Sequence, residues 1–278
     1  MTHTKTIVVP TDFSATASNA AAYAAEMAVA IKANILLLHV YSLPIVYSEM
    51  PVAVNDTPLI KEYEKALDLL KQNLLNQTHH AVKIDIELRM GTFFTELKTV
   101  CDYRKPYTVV MGSQGTSEVE RILFGSHTVY AMKHLMAPLI TVPPGVKFSA
   151  LNKIGLACDF DKVVDTTPVD EIKMLVNDFN AELHLLNTGK AEVFDPGLVY
   201  EFGLLRQMLD SLKPHFHYIS NKNTDQAIID FAENNQLDLL VIMPRRHGLL
   251  DKLVHKSHTK QLVLHSHVPL MALHQEIY

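Results

Sequence analysis

The chain has 278 residues, of which 48% are hydrophobic, and its formal net charge is −5. This length suits two domains of about 140 residues, each with enough apolar side chains for an ordinary core. The weak negative charge, without a long run of one sign, gives no electrostatic reason to expect nucleic acid or a membrane surface as a partner.

Two further features of composition bear on the cellular setting. The sequence "MTHTKTIVVPTDFS" enters a strand-like run directly, without a secretory pattern, and no apolar span of about 18 residues occurs. Cys101 and Cys158 are too few for a disulfide framework. We therefore expect a cytoplasmic protein in which both cysteines are ordinary thiols.

Short apolar runs alternate with longer amphipathic segments through the first half of the chain. Ser14 is a candidate N-cap for the first helix, which is rich in alanine. Strands are predicted at Ile7–Pro10, Ile35–Val40, Val82–Leu88, Thr108–Met111 and Leu139–Val142, and helices at Ser18–Lys32, Leu59–Thr78, Phe93–Tyr103 and Ser126–His134. Strands that alternate with helices indicate right-handed crossovers and a mostly parallel five-stranded sheet, covered on both faces.

The segment Pro44–Pro58 interrupts this alternation with three prolines in "PIVYSEMPVAVNDTP". An ordered surface loop after the second strand is favoured over a lid that closes on a ligand.

The second half of the chain repeats the first. "KTIVVPTDFS" from Lys5 is echoed by "NKIGLACDFD" from Asn152, "ANILLLHVYS" by "AELHLLNTGK", "YTVVMG" by "LLVIMP", "LFGSHT" by "VHKSHT" and "APLITVP" by "VPLMALH", all in the same order. Ordered self-similarity of this kind predicts two copies of one α/β sandwich domain, at residues 1–146 and 152–278.

Unusual chemistry follows two strands of the first copy. Thr11 and Asp12 come after the first strand, and "GSQG" from Gly112 comes after the fourth. Parallel sheets bind ligands at the carboxyl ends of their strands, and glycines together with a helix N-terminus can hold an anion. Asp12 suits a ribose hydroxyl or a base amine. Neither the P-loop nor the dinucleotide fingerprint is present, so the residues alone leave open an anion or nucleotide site or three structural turns.

The glycine spacing carries a resemblance to a known family. Gly112, two residues, Gly115, nine residues, then Gly125 and Ser126 resembles the G-2x-G-9x-G-[S/T] nucleotide motif of the universal stress protein family. "VPTDFS", "LLLHV" and "APLITVP" fit the same family, and the repeat is similar to its tandem type.

The resemblance implies the adenine nucleotide alpha hydrolase-like fold, with strand order 3-2-1-4-5 in each domain. It also implies that Leu139–Val142 pairs with Leu270–Leu273, which would make the chain an internal pseudo-dimer, with a further homodimer of whole chains left open. It implies ATP as ligand, with or without Mg²⁺. The nucleotide-binding residues carried over are Pro10, Thr11, Asp12, Val40, Met111, Gly112, Gly115, Gly125, Ser126, His127 and Thr128.

The second copy departs from this motif. Pro244, His247 and Lys256 stand where the first copy has glycines, and Pro removes a backbone donor. A structural partner domain is therefore favoured over a second nucleotide site. The alternative is a site for another anion, whose candidate residues are Asp159, Arg245, Arg246, His247, Lys256 and Ser257.

No metal site is predicted, although the chain has 15 histidines. The C-terminal pairs, His255 with His258 and His265 with His267, have no cysteine or carboxylate placed with them. Surface or capping roles are favoured for these histidines.

A binding protein is favoured over an enzyme, because no metal-holding carboxylate or base accompanies the glycines. The preferred function is a stress-response or regulatory module that binds ATP in its first domain and has protein partners of unknown identity. Two alternatives stay open. One is an interaction scaffold with structural glycines, and the other is a slow ATPase or self-phosphorylation at Ser126 or Thr128.

Overall fold

The computed structural model describes residues 4–42, 57–113, 127–158, 163–187, 196–219, 223–244 and 258–275. The first half contains β1 (Thr6–Pro10), α1 (Ala15–Ile31), β2 (Asn34–Tyr41), α2 (Thr57–Gln77), β3 (Ile84–Met90), α3 (Phe93–Arg104), β4 (Thr108–Gly112), α4 (127–134) and β5 (Leu139–Val142). Every strand and helix predicted here is present, with bounds shifted by at most a few residues. Residues 44–56 of the predicted loop or lid lie outside the described residues, and its last two residues, Thr57 and Pro58, begin α2.

The second half repeats this arrangement. It contains β6 (Lys153–Cys158), α5 (Val163–Thr166), α6 (Val169–Phe179), β7 (Glu182–Asn187), α7 (Pro196–Leu209) with a 3-10 turn (Asp210–Leu212), β8 (His215–Tyr218), α8 (Thr224–Asn234), β9 (Leu239–Ile242), α9 (His258–His265) and β10 (Leu270–Ala272). Among the described helices, none is both long and apolar enough to cross a membrane.

The strands form one sheet in the order β3-β2-β1-β4-β5-β10-β9-β6-β7-β8. Within each half all pairings are parallel, and the predicted order 3-2-1-4-5 is confirmed in both. The halves meet where β5 and β10 pair antiparallel, with Met271 opposite Ile140. The strand pairing implied by the resemblance is therefore present in the structure.

Local sequence explains how α1 fits onto this sheet. Ser14 is its N-cap, as predicted, and the Ser14 hydroxyl accepts a hydrogen bond from the Ala17 amide at 3.1 Å. Five alanines of the helix, at positions 20, 21, 24, 25 and 28, are fully buried. Small side chains on this face let the helix axis come close to the strands, and Lys32 ends the helix in a left-handed conformation.

Polar contacts join the halves next to the shared sheet. The Lys5 ammonium pairs with the Asp178 carboxylate of α6 and lies 5.3 Å from the centre of the Tyr107 ring. The His274 Nε2–H donates to the Met132 carbonyl in the last turn of α4 at 2.9 Å. The His274 ring is thus buried between the halves in a helix-capping role, whereas His265 and His267 are exposed.

Cys101 and Cys158 are both buried thiols outside any disulfide. Burial raises the pKa of Cys101 to about 12, so its thiol stays protonated near neutral pH. The prediction of an ordinary core thiol is confirmed for this residue.

Candidate functional site

The carboxyl ends of the first-half strands meet at one edge of the sheet. β1 lies between β2 and β4, and Pro10 is in register with Leu38 of β2. The amide after β1, that of Thr11, donates to the Leu38 carbonyl at 2.9 Å. The predicted residues at this edge are Pro10, Thr11, Asp12, Val40, Met111 and Gly112.

The turn between β1 and α1 is held by its own side chains. Thr11 Oγ1 accepts from the Phe13 amide and Asp12 Oδ1 accepts from the Ser14 amide, each at 3.0 Å. Turns of this type are a common use of Asp and Thr before a helix. Phe13 has a φ of 65°, which is rare for a bulky residue and costs roughly 1–3 kcal/mol. These bonds leave Asp12 exposed to solvent, with Oδ2 available to a ligand.

His39 of β2 makes a hydrogen bond to the backbone of this turn. Its Nδ1 lies 2.7 Å from the Thr11 carbonyl oxygen, which can only accept, so Nδ1 carries the proton. The His39 side chain is buried, and within the described structure its Nε2 has no hydrogen-bond partner. A buried nitrogen without a partner is unusual in a folded protein.

Aromatic rings surround His39. Its centroid lies 4.6 Å from that of Phe13 and 4.5 Å from that of Tyr63 on α2, while Tyr41 is 5.5 Å from Tyr63. We call Phe13, His39, Tyr41 and Tyr63 the β1–β2 aromatic cluster. The Phe13 ring packs against His39 and stacks at 6.5 Å from Tyr63, so the strained Phe13 is held by packing as well as by hydrogen bonds.

Gly112, the first glycine of the motif, has a packing role. A Cβ built there would lie 2.4 Å from Thr16 Cγ2 and 3.0 Å from the Thr16 carbonyl oxygen of α1. Such contacts are too close for any other residue without a shift of the helix or the strand. The first glycine is thus needed to seat α1 against β4, whatever its contact with a ligand.

Helix α4 is tied to the same strand. Thr128 is buried, and its hydroxyl donates to the Gly112 carbonyl at 3.1 Å. This hydrogen bond ties α4 to β4, and the nucleotide contact of Thr128 implied by the resemblance stays a prediction. His127 is exposed at the start of the described helix, with its ring 5.6 Å from that of Phe93. Gly115, Gly125 and Ser126 lie outside the described residues, so their roles stay predictions.

Two buried hydroxyls flank Gly112. Thr16 is 6% exposed and Ser113 is 2% exposed, and neither Oγ1 of Thr16 nor Oγ of Ser113 has a partner among the described residues. Among the described residues of this edge, Asp12 is therefore an exposed carboxylate, and the hydroxyls of Thr16 and Ser113 are buried neutral groups. No group of three His, Cys, Asp or Glu side chains that could hold a metal ion occurs in the parts of the chain that the structure describes.

The second copy has different residues at the equivalent edge. Cys158 ends β6 and is in register with Asn187 of β7, so these two residues stand where the first copy has Thr11 and His39. The predicted anion-site residues Asp159, Arg245, Arg246, His247, Lys256 and Ser257 lie outside the described residues, as does His255. That alternative site stays a prediction.

A histidine group that the sequence did not suggest lies farther along the same half. His184 Nδ1 and His217 Nε2 are 3.0 Å apart with their ring planes 15° from parallel, and His215 stacks at 5.1 Å from His184. Burial lowers the pKa of His184 and of His217, and neighbouring imidazoles lower both further. His184 lies 33 residues before His217 in the sequence, so only the β7–β8 register brings it next to His215 and His217.

The residues missed at the first-half edge are His39, Phe13 and Thr16. His39 is part of "LLLHV", where a continuous apolar run hides one polar residue. The repeated Asp-Phe pair, Asp12-Phe13 and Asp159-Phe160, was a usable signal for Phe13. No signal pointed to Thr16, because its role depends on where α1 crosses β4.

The fold and this edge define a class, namely tandem α/β sandwiches of the adenine nucleotide alpha hydrolase-like type. A sequence model described as the universal stress protein family matches residues 3–143 and 151–274. The chain therefore belongs to the universal stress protein family.

One relative belongs to the same family, and two solved structures show the same fold. The chain is similar to universal stress protein MJ0531 of Methanocaldococcus jannaschii, with 30% identity over 140 residues, which cover 50% of this chain and 81% of that protein. A universal stress protein from Archaeoglobus fulgidus DSM 4304 has the same fold, with a TM-score of 0.70, 18% identity and coverage of 97% of this chain and 96% of its own. A functionally unknown protein, PA1789 of Pseudomonas aeruginosa PAO1, has a TM-score of 0.59 at 10% identity, covering 98% and 92% of the two chains.

Proposed function

We propose that the first half of the chain binds ATP and that the protein is a nucleotide-dependent stress-response or regulatory module. The observation that carries the proposal is the tied β1–α1 turn, which presents the exposed Asp12 carboxylate at the same sheet edge as the end of β4. Family membership and the glycine spacing of the first half support the same ligand.

The chemistry of the edge supports one orientation of the nucleotide. An ionised carboxylate only accepts hydrogen bonds, so Asp12 suits the ribose hydroxyls or the adenine amine and repels phosphates. The phosphates then extend past β4 toward Gly115, Gly125, Ser126 and the N-terminus of α4. Amides at a helix N-terminus, together with its dipole, favour an anion there. Mg²⁺ would accompany the phosphates, whose oxygens it prefers.

Binding without rapid turnover is the activity that these residues favour. Hydrolysis needs a carboxylate to hold the metal and a base or a positioned water. Asp12 is the one carboxylate among the first-half site residues, and the ribose is its proposed partner. The Thr128 proton is donated to Gly112, which makes this hydroxyl a poor candidate for self-phosphorylation.

A second candidate function is an interaction scaffold without a nucleotide. The close approach of Gly112 to Thr16 favours it, because this contact explains the first glycine without any ligand. Under this alternative Gly115 and Gly125 are also structural, and protein partners bind the tandem sandwich directly.

The proposal extends to the organisation of the molecule. We propose domains at 1–146 and 152–278, which the matched ranges 3–143 and 151–274 support. The β5–β10 pairing supports an internal pseudo-dimer in which the second copy is a structural partner. A cytoplasmic location is part of the same proposal, and a homodimer of whole chains is left to measurement.

Nucleotide release and calorimetry test the proposal. The protein is purified without added nucleotide and denatured, released small molecules are identified by mass spectrometry, and ATP with Mg²⁺ is then titrated. We expect about one ATP per chain. Neither released nucleotide nor heat would contradict the proposal and favour the scaffold.

Matched glycine variants refine this test. Gly115→Val should abolish ATP binding, because a branched side chain blocks the approach of phosphate to the backbone. Gly203→Ala in α7 is the control, since a Cβ there meets nothing within 4 Å. Equal affinity of the two variants would rule out the glycine cradle.

A further inference from the structure

We propose that His39 is the positioning residue of the nucleotide site, holding Asp12 in its ligand-facing orientation through the Thr11 carbonyl. This inference rests on the proposed ATP function but concerns a residue outside the glycine motif. His39 makes its contact from within β2, to the carbonyl of the residue that immediately precedes the exposed Asp12.

The first step of the reasoning is the direction of the hydrogen bond. The Thr11 carbonyl belongs to a buried residue, and its described hydrogen-bond donor is Nδ1 of His39 at 2.7 Å. A buried carbonyl that loses its donor bears the full desolvation penalty. The turn therefore depends on a donor at the δ position of residue 39.

The second step is the mechanical link from Thr11 to Asp12. Thr11 Oγ1 accepts from the Phe13 amide, and Asp12 Oδ1 accepts from the Ser14 amide, so two hydrogen bonds link these four consecutive residues. Phe13 is held at a φ of 65°, a conformation that relaxes when its support is removed. Release of the Thr11 carbonyl would thus let the Asp12 carboxylate leave its position.

The third step is that the His39 ring is fixed by packing and makes one hydrogen bond within the described structure. Phe13 and Tyr63 pack against the His39 ring at centroid distances of 4.6 Å and 4.5 Å. Nε2 is buried and has no partner in the described structure, so Nδ1 alone bonds the ring to the protein. A simple core residue at this position would be apolar, as the four preceding residues of β2, Ile35 to Leu38, are.

The second copy indicates which substitution the position tolerates. Asn187 occupies the equivalent place in β7, is 9% exposed and is in register with Cys158. The amide nitrogen of asparagine stands two bonds from Cβ, as Nδ1 of histidine does, so asparagine can keep a donor at the δ position. Leucine has a branched side chain of similar size to asparagine and no donor.

The experiment therefore compares His39→Asn with His39→Leu. Both variants lose the imidazole ring and its aromatic packing, so the difference between them isolates the hydrogen bond to Thr11. We expect ATP affinity to fall about tenfold in His39→Leu relative to His39→Asn, the size of effect that one unsatisfied buried carbonyl produces. A thermal melt of both variants verifies that each is folded.

A second measurement does not require nucleotide. Hydrogen exchange of the Phe13 and Ser14 amides is followed by NMR in the nucleotide-free protein. We expect faster exchange, by about tenfold, in His39→Leu, and exchange close to that of the unmodified protein in His39→Asn.

The two measurements separate the inference from the function on which it rests. Equal ATP affinity and equal exchange in the two variants would overturn the positioning role while leaving ATP binding intact. If the unmodified protein binds no ATP, the proposed function fails, and the exchange rates alone decide whether His39 orders the turn. Restored affinity and restored protection in His39→Asn would establish the positioning role.

Discussion

Replacing Gly112 with alanine would place a methyl group 2.4 Å from Thr16 Cγ2 and 3.0 Å from the Thr16 carbonyl oxygen. The first contact is with a side chain that is β-branched and therefore stiff, and the second is with helix backbone. Relief of the first contact requires a change of the Thr16 rotamer, and relief of the second requires a shift of α1. Overpacking of this kind costs about 1–3 kcal/mol.

A double-mutant cycle tests this reasoning. Thr16→Ser keeps the hydroxyl and removes the Cγ2 methyl, which is the nearest atom to the new side chain. We expect Gly112→Ala to cost less stability in the Thr16→Ser background, with a coupling of about 1 kcal/mol. For a protein of this size that coupling corresponds to roughly 2–4 °C in melting temperature.

The assay is chemical denaturation followed by circular dichroism, with the melting temperature as a second measure. Additive effects of the two substitutions would refute the packing explanation and leave ligand contact as the reason for this glycine. Measuring ATP affinity on the same four proteins separates the two roles of Gly112, since seating α1 and approaching a phosphate need not be affected equally.

Further outcomes follow from the turn, the helix cap and the histidine group. Asp12→Asn keeps the oxygen that accepts from the Ser14 amide but removes the charge. ATP affinity should therefore fall by about fivefold to a hundredfold, while the melting temperature stays near that of the unmodified protein. An unchanged affinity would argue against a ligand contact by this carboxylate. Ser14→Ala removes the N-cap of α1 and should cost about 1 kcal/mol in denaturant titrations, whereas no loss would mean that the cap is redundant. Burial is the main cause that lowers the pKa of His184 and of His217 below the ordinary 6.5, and the imidazole of His215 lowers both further. His217, Glu182 and Lys153 are the other titratable groups near His184. The unfolded chain then binds more protons than the folded chain just below pH 6.5, so the free energy of unfolding should decrease as the pH falls through that range. His184→Gln should reduce the slope of the free energy of unfolding against pH by at most about 1.4 kcal/mol per pH unit. An unaltered slope would mean that other groups cause the pH dependence.

The strands and helices of the first half could be predicted because their determinants are local. Buried parallel strands such as β1 are continuous apolar runs, and α1 is marked by its alanines and by Ser14. The strand order and the pairing of β5 with β10 came from family resemblance, since nothing in the local sequence of either strand specifies its neighbour.

The candidate site was predictable only in part, because several of its determinants are contacts between distant residues. Asp12 is recognisable from its place after a strand, but the role of His39 depends on the Thr11 carbonyl opposite it in the sheet. The glycine spacing suggested phosphate contact for Gly112, whereas its tightest constraint comes from Thr16. Thr128 shows the same limit, because the hydrogen bond from its hydroxyl to the Gly112 carbonyl joins residues 16 positions apart.

The antiparallel junction between β5 and β10 sets the direction in which each half faces. Since strands are parallel within each half but antiparallel across the junction, the carboxyl ends of the two sets point to opposite rims of the sheet. The turn that carries Asp12 therefore opens at one rim, and Cys158 and Asn187 lie at the other. A ligand held at the first rim therefore lies at the opposite edge of one continuous sheet from the carboxyl ends of the second-half strands.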